Sequence, residues 1–265
     1  MTTLAYRELG AGAPLVFLHG TPTSSYLWRN VMPSLPGRRL APDLVGMGDS
    51  PRPEIEYTFD DHARHLDEWF DALALDDVVL IGHDWGGALA ADWASRHPSR
   101  VRGLAFTEAV LTPMTWAEFP PAGAELFRAI KTSGEFPAAD FLAGLPAEYA
   151  TSHHRPLLQW ARSLPLSGEP PAVVARIEAF GRWLAATPEI PKLLVTFEPG
   201  PDTMLTPPMI DRCVAQFASL EVVRRPERAG HHTPEEQPAA LAETVASWLT
   251  AITRPGEPEV FRRSV

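Results

Sequence analysis

Residues 82–87, GHDWGG, can place a carboxylate at a sharp turn. An apolar run, DDVVLI, precedes this stretch and an alanine-rich segment, ALAADWASRHP, follows it. A strand, a tight turn and a helix, with glycines two residues to either side of a central residue, form the pattern that exposes a catalytic nucleophile. The central residue of that pattern is usually serine, and here it is Asp84. The sequence therefore predicts Asp84 as a carboxylate nucleophile.

A carboxylate nucleophile does different chemistry from a serine. It is charged at neutral pH, needs no base to activate it and can displace a leaving group from an sp³ carbon. The product would be an alkyl ester of Asp84, which a water molecule activated by a histidine would hydrolyse to an alcohol. The predicted substrate is therefore an alkyl halide or an epoxide rather than a carboxylic ester.

Candidates for the histidine, and for the acid that orients it, follow later strands. His231 and His232 stand side by side in AGHHTPEEQP, directly after the last predicted strand. Glu108 ends the predicted strand VRGLAFTEA, and Asp202 lies in the loop EPGPDTML after the next strand. The residue types alone leave both choices open.

The two substrate classes need different helpers. An epoxide leaves as an alkoxide and needs proton donors, usually tyrosines, whereas a departing halide needs only N–H or similar donors. Of the four tyrosines only Tyr149 falls within residues 112–187, where we predict a helical insertion. Trp85, next to the nucleophile, offers an indole N–H that donates without accepting. This pattern favours the halide.

Six apolar strand-like runs alternate with helical segments, which predicts an α/β fold with a mainly parallel sheet flanked by helices. The strands are predicted at 14–20, 38–46, 77–83, 101–109, 191–199 and 220–227, and helices at 61–75, 86–97, 207–218 and 236–252. Residues 112–187, between the fourth and fifth runs, carry scattered aromatics, prolines and helical patches. We predict that they form a helical cap over the carboxyl ends of the strands, where such sheets bind ligands. The core would then comprise 1–111 and 188–253, and 254–265 would form a mobile tail.

Composition limits the class of protein. With 265 residues, 45% of them hydrophobic, the chain is long enough for one large domain with an insertion. The net charge of −10 argues against nucleic acid or an anionic membrane as a partner. The absence of a long apolar run and of a signal-peptide pattern, with Cys213 as the single cysteine, predicts a cytoplasmic protein without a disulfide. No spacing of ligand residues predicts a metal, and we expect no cofactor.

Five stretches of the chain together carry a family resemblance: HGTPTSSYLWRN (19–30), DLVGMGDS (43–50), GHDWGGALA (82–90), EAVLTPMTWAEFP (108–120) and PKLLVTFEPG (191–200). They resemble the haloalkane dehalogenases, a family of the α/β-hydrolase superfamily. The resemblance covers most of residues 5–252 and is nearest to the subfamily in which a glutamate acid follows the sixth strand of the family's sheet. It implies the α/β-hydrolase fold, with the helical cap inserted after that strand.

The resemblance also implies a role for each matched residue. Asp84 would be the nucleophile, His231 the base, Glu108 the acid and Trp85 a halide-stabilising donor, and the backbone N–H groups of Trp85 and Thr21 would form an oxyanion hole. The partners would be a small apolar halogenated substrate and water, with a halide ion as product. Epoxide hydrolases and coelenterazine-type luciferases resemble the same pattern. A catalytically idle, ligand-binding homologue is the alternative from a different class.

Three features depart from the family pattern. An asparagine usually follows HG and gives a second halide donor, whereas this chain has Thr21, which predicts a weak dehalogenase. The segment that leads to LQWARSLPL (158–166) is abbreviated, which predicts a short cap. The match begins late at the N-terminal side, which predicts that the family's first edge strand is missing.

Overall fold

A single, mainly parallel sheet organises the chain. A computed structural model describes residues 3–137, 144–151 and 154–252. The strands are β1 Tyr6–Leu9, β2 Pro14–Leu18, β3 Arg38–Pro42, β4 Val78–His83, β5 Val101–Thr107, β6 Lys192–Pro199 and β7 Leu220–Ala229. They lie in the order β1-β3-β2-β4-β5-β6-β7, in which β1 pairs antiparallel with β3 and every other pairing is parallel. The predicted fold class is confirmed.

The edge strand β1 is the element that hydrophobic patterning missed. Its four residues, YREL, are all exposed, so the run lacks the apolar signal that marked the six predicted strands. Within the described residues no strand lies outside β1 at this edge. The insertion follows β5, the fifth strand of the described chain.

Eight α-helices in the described residues connect the strands or follow the last one. They are α1 Phe59–Ala72, α2 Trp85–Arg96, α3 Pro121–Ser133, α4 His154–Ser163, α5 Pro171–Ala186, α6 Pro207–Gln216, α7 Thr233–Glu236 and α8 Pro238–Ile252. Helix α1 begins two residues earlier than predicted because Thr58 and Asp61 form a reciprocal capping box. The predicted helix 236–252 is instead two helices, because Pro238 disfavours a helical backbone at Gln237.

Alternate side chains of the central strands enter two separate apolar clusters. Val78 and Leu80 of β4 belong to the cluster that includes α1 and α2, whereas Val79 and Ile81 belong to the cluster that includes α8. Both faces of the sheet are therefore covered, as expected for a parallel sheet. Strand β4 lies between β2 and β5, so its carboxyl end is in the middle of the sheet.

Helices α3, α4 and α5 form the insertion between β5 and β6. Ion pairs connect it to the rest of the chain: Arg176 of α5 lies 2.7 Å from Asp60 of α1 and 3.2 Å from the buried Asp92 of α2. Of the range predicted as a cap, residues 138–143 and 152–153 lie outside the described part, as does the tail predicted for 254–265. None of the described helices is both long and apolar enough to cross a membrane.

Candidate active site

Asp84 occupies a sharp turn between β4 and α2. Its φ of 52° and ψ of −126° are unusual for a residue with a side chain, and the neighbouring chain passes very close. A Cβ atom on Gly86 would lie 2.1 Å from the carbonyl oxygen of Leu18, and one on Gly82 would lie 2.5 Å from Cα of Gly87. The two glycines are required because this turn leaves no room for their side chains. The turn directs a carboxylate out of the sheet at its carboxyl end.

The carboxylate of Asp84 faces backbone donors on one side and a histidine on the other. The N–H of Thr21 donates to Oδ2 over 2.9 Å, the Thr21 hydroxyl lies 3.4 Å from the same oxygen, and the N–H of Trp85 also donates to the carboxylate. Nε2 of His231 lies 3.9 Å from Oδ1. Burial raises the pKa of Asp84, and the charge of His231 and the two N–H groups oppose this rise without cancelling it.

His231 is held by Glu108. Its Nδ1 lies 3.2 Å from Oε2 of Glu108, and the same oxygen accepts the backbone N–H groups of Met204 and Leu205. An acceptor at Nδ1 places the ring proton there and leaves Nε2 towards Asp84. Burial lowers the pKa of His231, but the hydrogen bond to Glu108 and the charge of Asp84 outweigh burial and raise the pKa above its usual value.

The other two candidates, His232 and Asp202, lie together as a separate pair. Nδ1 of His232 is 3.9 Å from Oδ2 of Asp202, whose side chain is 60% exposed. The neighbouring His232 lowers the pKa of Asp202. The structure therefore places His231 between Asp84 and Glu108, with one ring nitrogen towards each carboxylate. His232 and Asp202 lie beside this group and nearer to solvent.

A cavity of about 770 Å³ adjoins Asp84, which is a size that accommodates a small organic molecule. One part of its wall comes from the turn at Asp84 and from neighbouring loops, namely from Thr21, Asp84, Trp85 and His231. The insertion supplies mainly apolar side chains, namely Phe119, Leu126, Phe127, Phe136, Leu145, Ala161 and Leu164. His232, Asp202, Glu235 and Glu236 add a polar part of the wall. The carboxylate of Asp84 thus faces a cavity whose wall is mainly apolar, with one polar part.

Trp85 and Tyr149 differ in their availability to a ligand. Trp85 lines the cavity and packs against Trp160, with ring centroids 4.6 Å apart. The hydroxyl of Tyr149 donates to Glu235, and this fully buried tyrosine does not line the cavity. The one tyrosine of the predicted cap is therefore engaged elsewhere, whereas an N–H donor is present beside Asp84.

Two buried contacts near the site involve residues that sequence reasoning missed. His83 donates from Nε2 to the backbone carbonyl oxygen of His231 over 2.8 Å. Glu235 accepts hydrogen bonds from the Arg29 guanidinium, over 2.7 Å, and from the hydroxyl of Tyr149. No pattern distinguishes a buried histidine at a strand end, and the partners of Glu235 are distant in sequence.

The described residues include no group of three or more His, Cys, Asp or Glu side chains placed to hold a metal ion. The site instead combines a carboxylate at a nucleophile elbow, a histidine–carboxylate pair on later loops, and an adjoining cavity. This combination, on a mainly parallel sheet, defines a hydrolase of the α/β-hydrolase fold. The family model described as the alpha/beta hydrolase fold matches residues 13–189.

Comparison with known proteins narrows this class. A haloalkane dehalogenase of Agrobacterium fabrum is 39% identical to this chain, and the match covers 92% of this chain and 88% of the relative. A haloalkane dehalogenase of Sphingobium indicum is 38% identical, and the match covers 93% of this chain and 91% of the relative. Among solved structures, a loop variant of the haloalkane dehalogenase DbeA from Bradyrhizobium elkanii superposes with a TM-score of 0.85 at 35% identity, covering 94% of this chain and 93% of that one. The chain belongs to the haloalkane dehalogenase family.

Proposed function

We propose that this protein hydrolyses the carbon–halogen bond of small haloalkanes to an alcohol and a halide ion, through an alkyl ester of Asp84. One observation carries the proposal: a buried carboxylate stands at the nucleophile elbow, facing an apolar cavity, with Nε2 of His231 3.9 Å from it. The names of the similar proteins, haloalkane dehalogenases, support the same reaction class.

The first step is a displacement at carbon. The N–H of Thr21 donates to Oδ2 of Asp84, and Oδ1 lies on the side of His231, so Oδ1 is the oxygen proposed to attack. A bond forms between Oδ1 and the halogenated carbon, the carbon–halogen bond breaks, and the halide leaves with the bonding electrons. The indole N–H of Trp85, a residue that lines the cavity beside Asp84, is the donor proposed to stabilise the departing halide.

The second step is hydrolysis of the ester. Nε2 of His231 takes a proton from water, and the water oxygen attacks Cγ of Asp84. Negative charge develops on Oδ2, to which the N–H of Thr21 already donates, and the N–H of Trp85, which also donates to this carboxylate, is the second donor proposed. The bond between Cγ and Oδ1 then breaks and the alcohol leaves with the proton from His231. Asp84, which keeps one oxygen from water, releases the second proton of that water to solvent and regains its carboxylate.

Alkylation also prepares His231 for its task. The charge of Asp84 is one of the causes that raise the pKa of His231 in the free protein. An ester has no such charge, so forming it lowers the pKa of His231 and increases the fraction of neutral base. The Glu108 side chain, 3.2 Å from Nδ1, stabilises the imidazolium that forms during water attack.

We propose that residues 112–187 act as the cap of this site. The apolar wall supplied by α3 and α4 and the segments beside them supports this, because those side chains line the cavity next to the buried Asp84. Exclusion of water strengthens each electrostatic contact to the departing halide.

A substrate panel tests the proposed function. The protein should release bromide or iodide from bromo- and iodoalkanes, with one alcohol formed per halide, and should form no diol from styrene oxide. Halide and acid release are followed together. Diol formation from styrene oxide without halide release would favour the epoxide alternative, and ligand binding without either reaction would favour the idle homologue.

Thr21 gives a second prediction. In a dry pocket each missing hydrogen-bond donor costs about 1–3 kcal/mol, and the Thr21 hydroxyl lies against Asp84 rather than reaching outward as an asparagine amide would. We therefore expect a weak dehalogenase that turns over iodo- and bromoalkanes faster than chloroalkanes. Thr21→Asn should raise bromoalkane turnover severalfold and strengthen halide quenching of tryptophan fluorescence.

The matched control for this variant is Thr21→Val, which keeps the backbone N–H and removes the hydroxyl. It should leave halide quenching close to that of the unaltered protein. If Thr21→Asn leaves both quenching and turnover unchanged or lower, another group completes the halide site.

A further inference from the structure

His83 connects the nucleophile and the base through adjacent residues of the chain. It is the last residue of β4, it directly precedes Asp84, and it is fully buried. Its Nε2 lies 2.8 Å from the carbonyl oxygen of His231, and the two imidazole rings pack with centroids 4.8 Å apart. The carboxyl end of β4 therefore leads directly into Asp84 and, through His83, also holds the backbone of His231.

The hydrogen bond defines the state of the His83 ring. A carbonyl oxygen only accepts, so Nε2 of His83 carries the proton. Burial lowers the pKa of His83 well below its usual value, and the nearby His231 and His232 lower it further. A neutral ring in this position adds no like charge when His231 becomes an imidazolium.

The orientation of His231 rests on two direct hydrogen bonds. Glu108 holds Nδ1 of its ring, and His83 holds its backbone carbonyl group, to which no other donor in the described residues is bonded. The contacts on either side fix the neighbours instead: Glu236 accepts the N–H of Gly230, and Thr233 bonds to Thr107. Without His83, the peptide of His231 would lose its own anchor and leave a buried acceptor unpaired.

We infer that His83 is a positioning residue for ester hydrolysis: it holds the backbone of His231 so that Nε2 reaches the water that attacks the Asp84 ester. This inference rests on the proposed function. The attack of Asp84 on carbon requires no base, so removing the contact should slow hydrolysis much more than alkylation. A general loss of structure would slow both steps.

Two amide variants separate these cases. His83→Gln places an amide NH2 group where Nε2 of the histidine stood, whereas the shorter side chain in His83→Asn cannot reach the carbonyl oxygen of His231. Rapid-quench single-turnover experiments with a bromoalkane measure bromide release for the first step and alcohol formation for the second. Intact mass spectrometry records the alkyl adduct.

We expect His83→Asn to release bromide at a rate within about threefold of the unaltered protein, with ester hydrolysis slowed roughly 10- to 100-fold and the adduct accumulating. His83→Gln should restore most of the hydrolysis rate. His65→Leu is the matched control, because His65 is a buried histidine on α1 away from this loop, and it should leave the ratio of the two rates unchanged.

Equal slowing of both steps in His83→Asn, or equal behaviour of the Asn and Gln variants, would overturn the inference while leaving the proposed function intact. Absence of bromide release by the unaltered protein would instead contradict the proposed function itself.

Discussion

Replacing His231 with alanine should stop the reaction after one halide ion has left each protein molecule. Asp84 still attacks carbon, because its carboxylate needs no base, but no group remains to activate water against the ester. Steady-state turnover should fall by about 10²–10⁴-fold, the range typical of a lost general base. Mass spectrometry after incubation with a bromoalkane should find one alkyl group on the peptide that carries Asp84.

His232→Ala is the control for this result. His232 pairs with Asp202 and not with Glu108. The His232→Ala variant should therefore keep its turnover rate, and its Asp84 peptide should carry no alkyl group. Normal turnover by His231→Ala with no adduct on Asp84 would show that the base has been wrongly assigned.

Glu108→Gln should slow ester hydrolysis by roughly 10²–10⁴-fold, since the amide cannot stabilise an imidazolium as a carboxylate does. The hydrogen bond and charge of Glu108 both raise the pKa of His231. Their loss lowers that pKa, so the pH at which the residual hydrolysis is half-maximal should move to lower values. A pH profile of single-turnover hydrolysis measures both effects.

Asp202→Asn is the matched comparison, because Asp202 is mostly exposed and lies beside His232. We expect a small change in the hydrolysis rate and little movement of the pH profile. Equal losses in the two variants, or a larger loss in Asp202→Asn, would transfer the role of the acid to Asp202.

Local pattern was sufficient to predict the elbow and most of the sheet. The glycines around Asp84 are required by contacts within a few residues and with one neighbouring strand, which is why a short motif identifies the turn. The central strands β2, β4 and β5 are apolar runs because parallel strands in the middle of the sheet are covered on both faces. The exposed strand β1 gives no such signal.

Pairings between distant loops could not be read from residue types. Glu108 and Asp202 both follow strands, and His231 and His232 are adjacent, so only the tertiary fold decides which acid meets which histidine. The family resemblance selected Glu108 and His231, and the distance of 3.2 Å between Nδ1 and Oε2 agrees with that choice. Their catalytic roles remain predictions.

The contacts of His83 and Glu235 depend on packing between segments more than 80 residues apart in the chain. A histidine at the end of a buried strand is equally compatible with a purely structural place in the core. The hydrogen bond of His83 to the carbonyl group of His231 cannot be predicted from the sequence, because every residue has a backbone carbonyl group. Such supporting residues therefore emerge only once the loops have been placed.

The origin of the oxygen in the product tests the central claim, the ester of Asp84, most directly. A single turnover of a bromoalkane in H₂¹⁸O, with protein in excess, should give alcohol that contains ¹⁶O, because its oxygen comes from Asp84. The peptide carrying Asp84 should gain one ¹⁸O from the water that attacked Cγ. Alcohol labelled with ¹⁸O in the first turnover, together with an unlabelled Asp84 peptide, would show that water displaces the halide directly and would contradict the account.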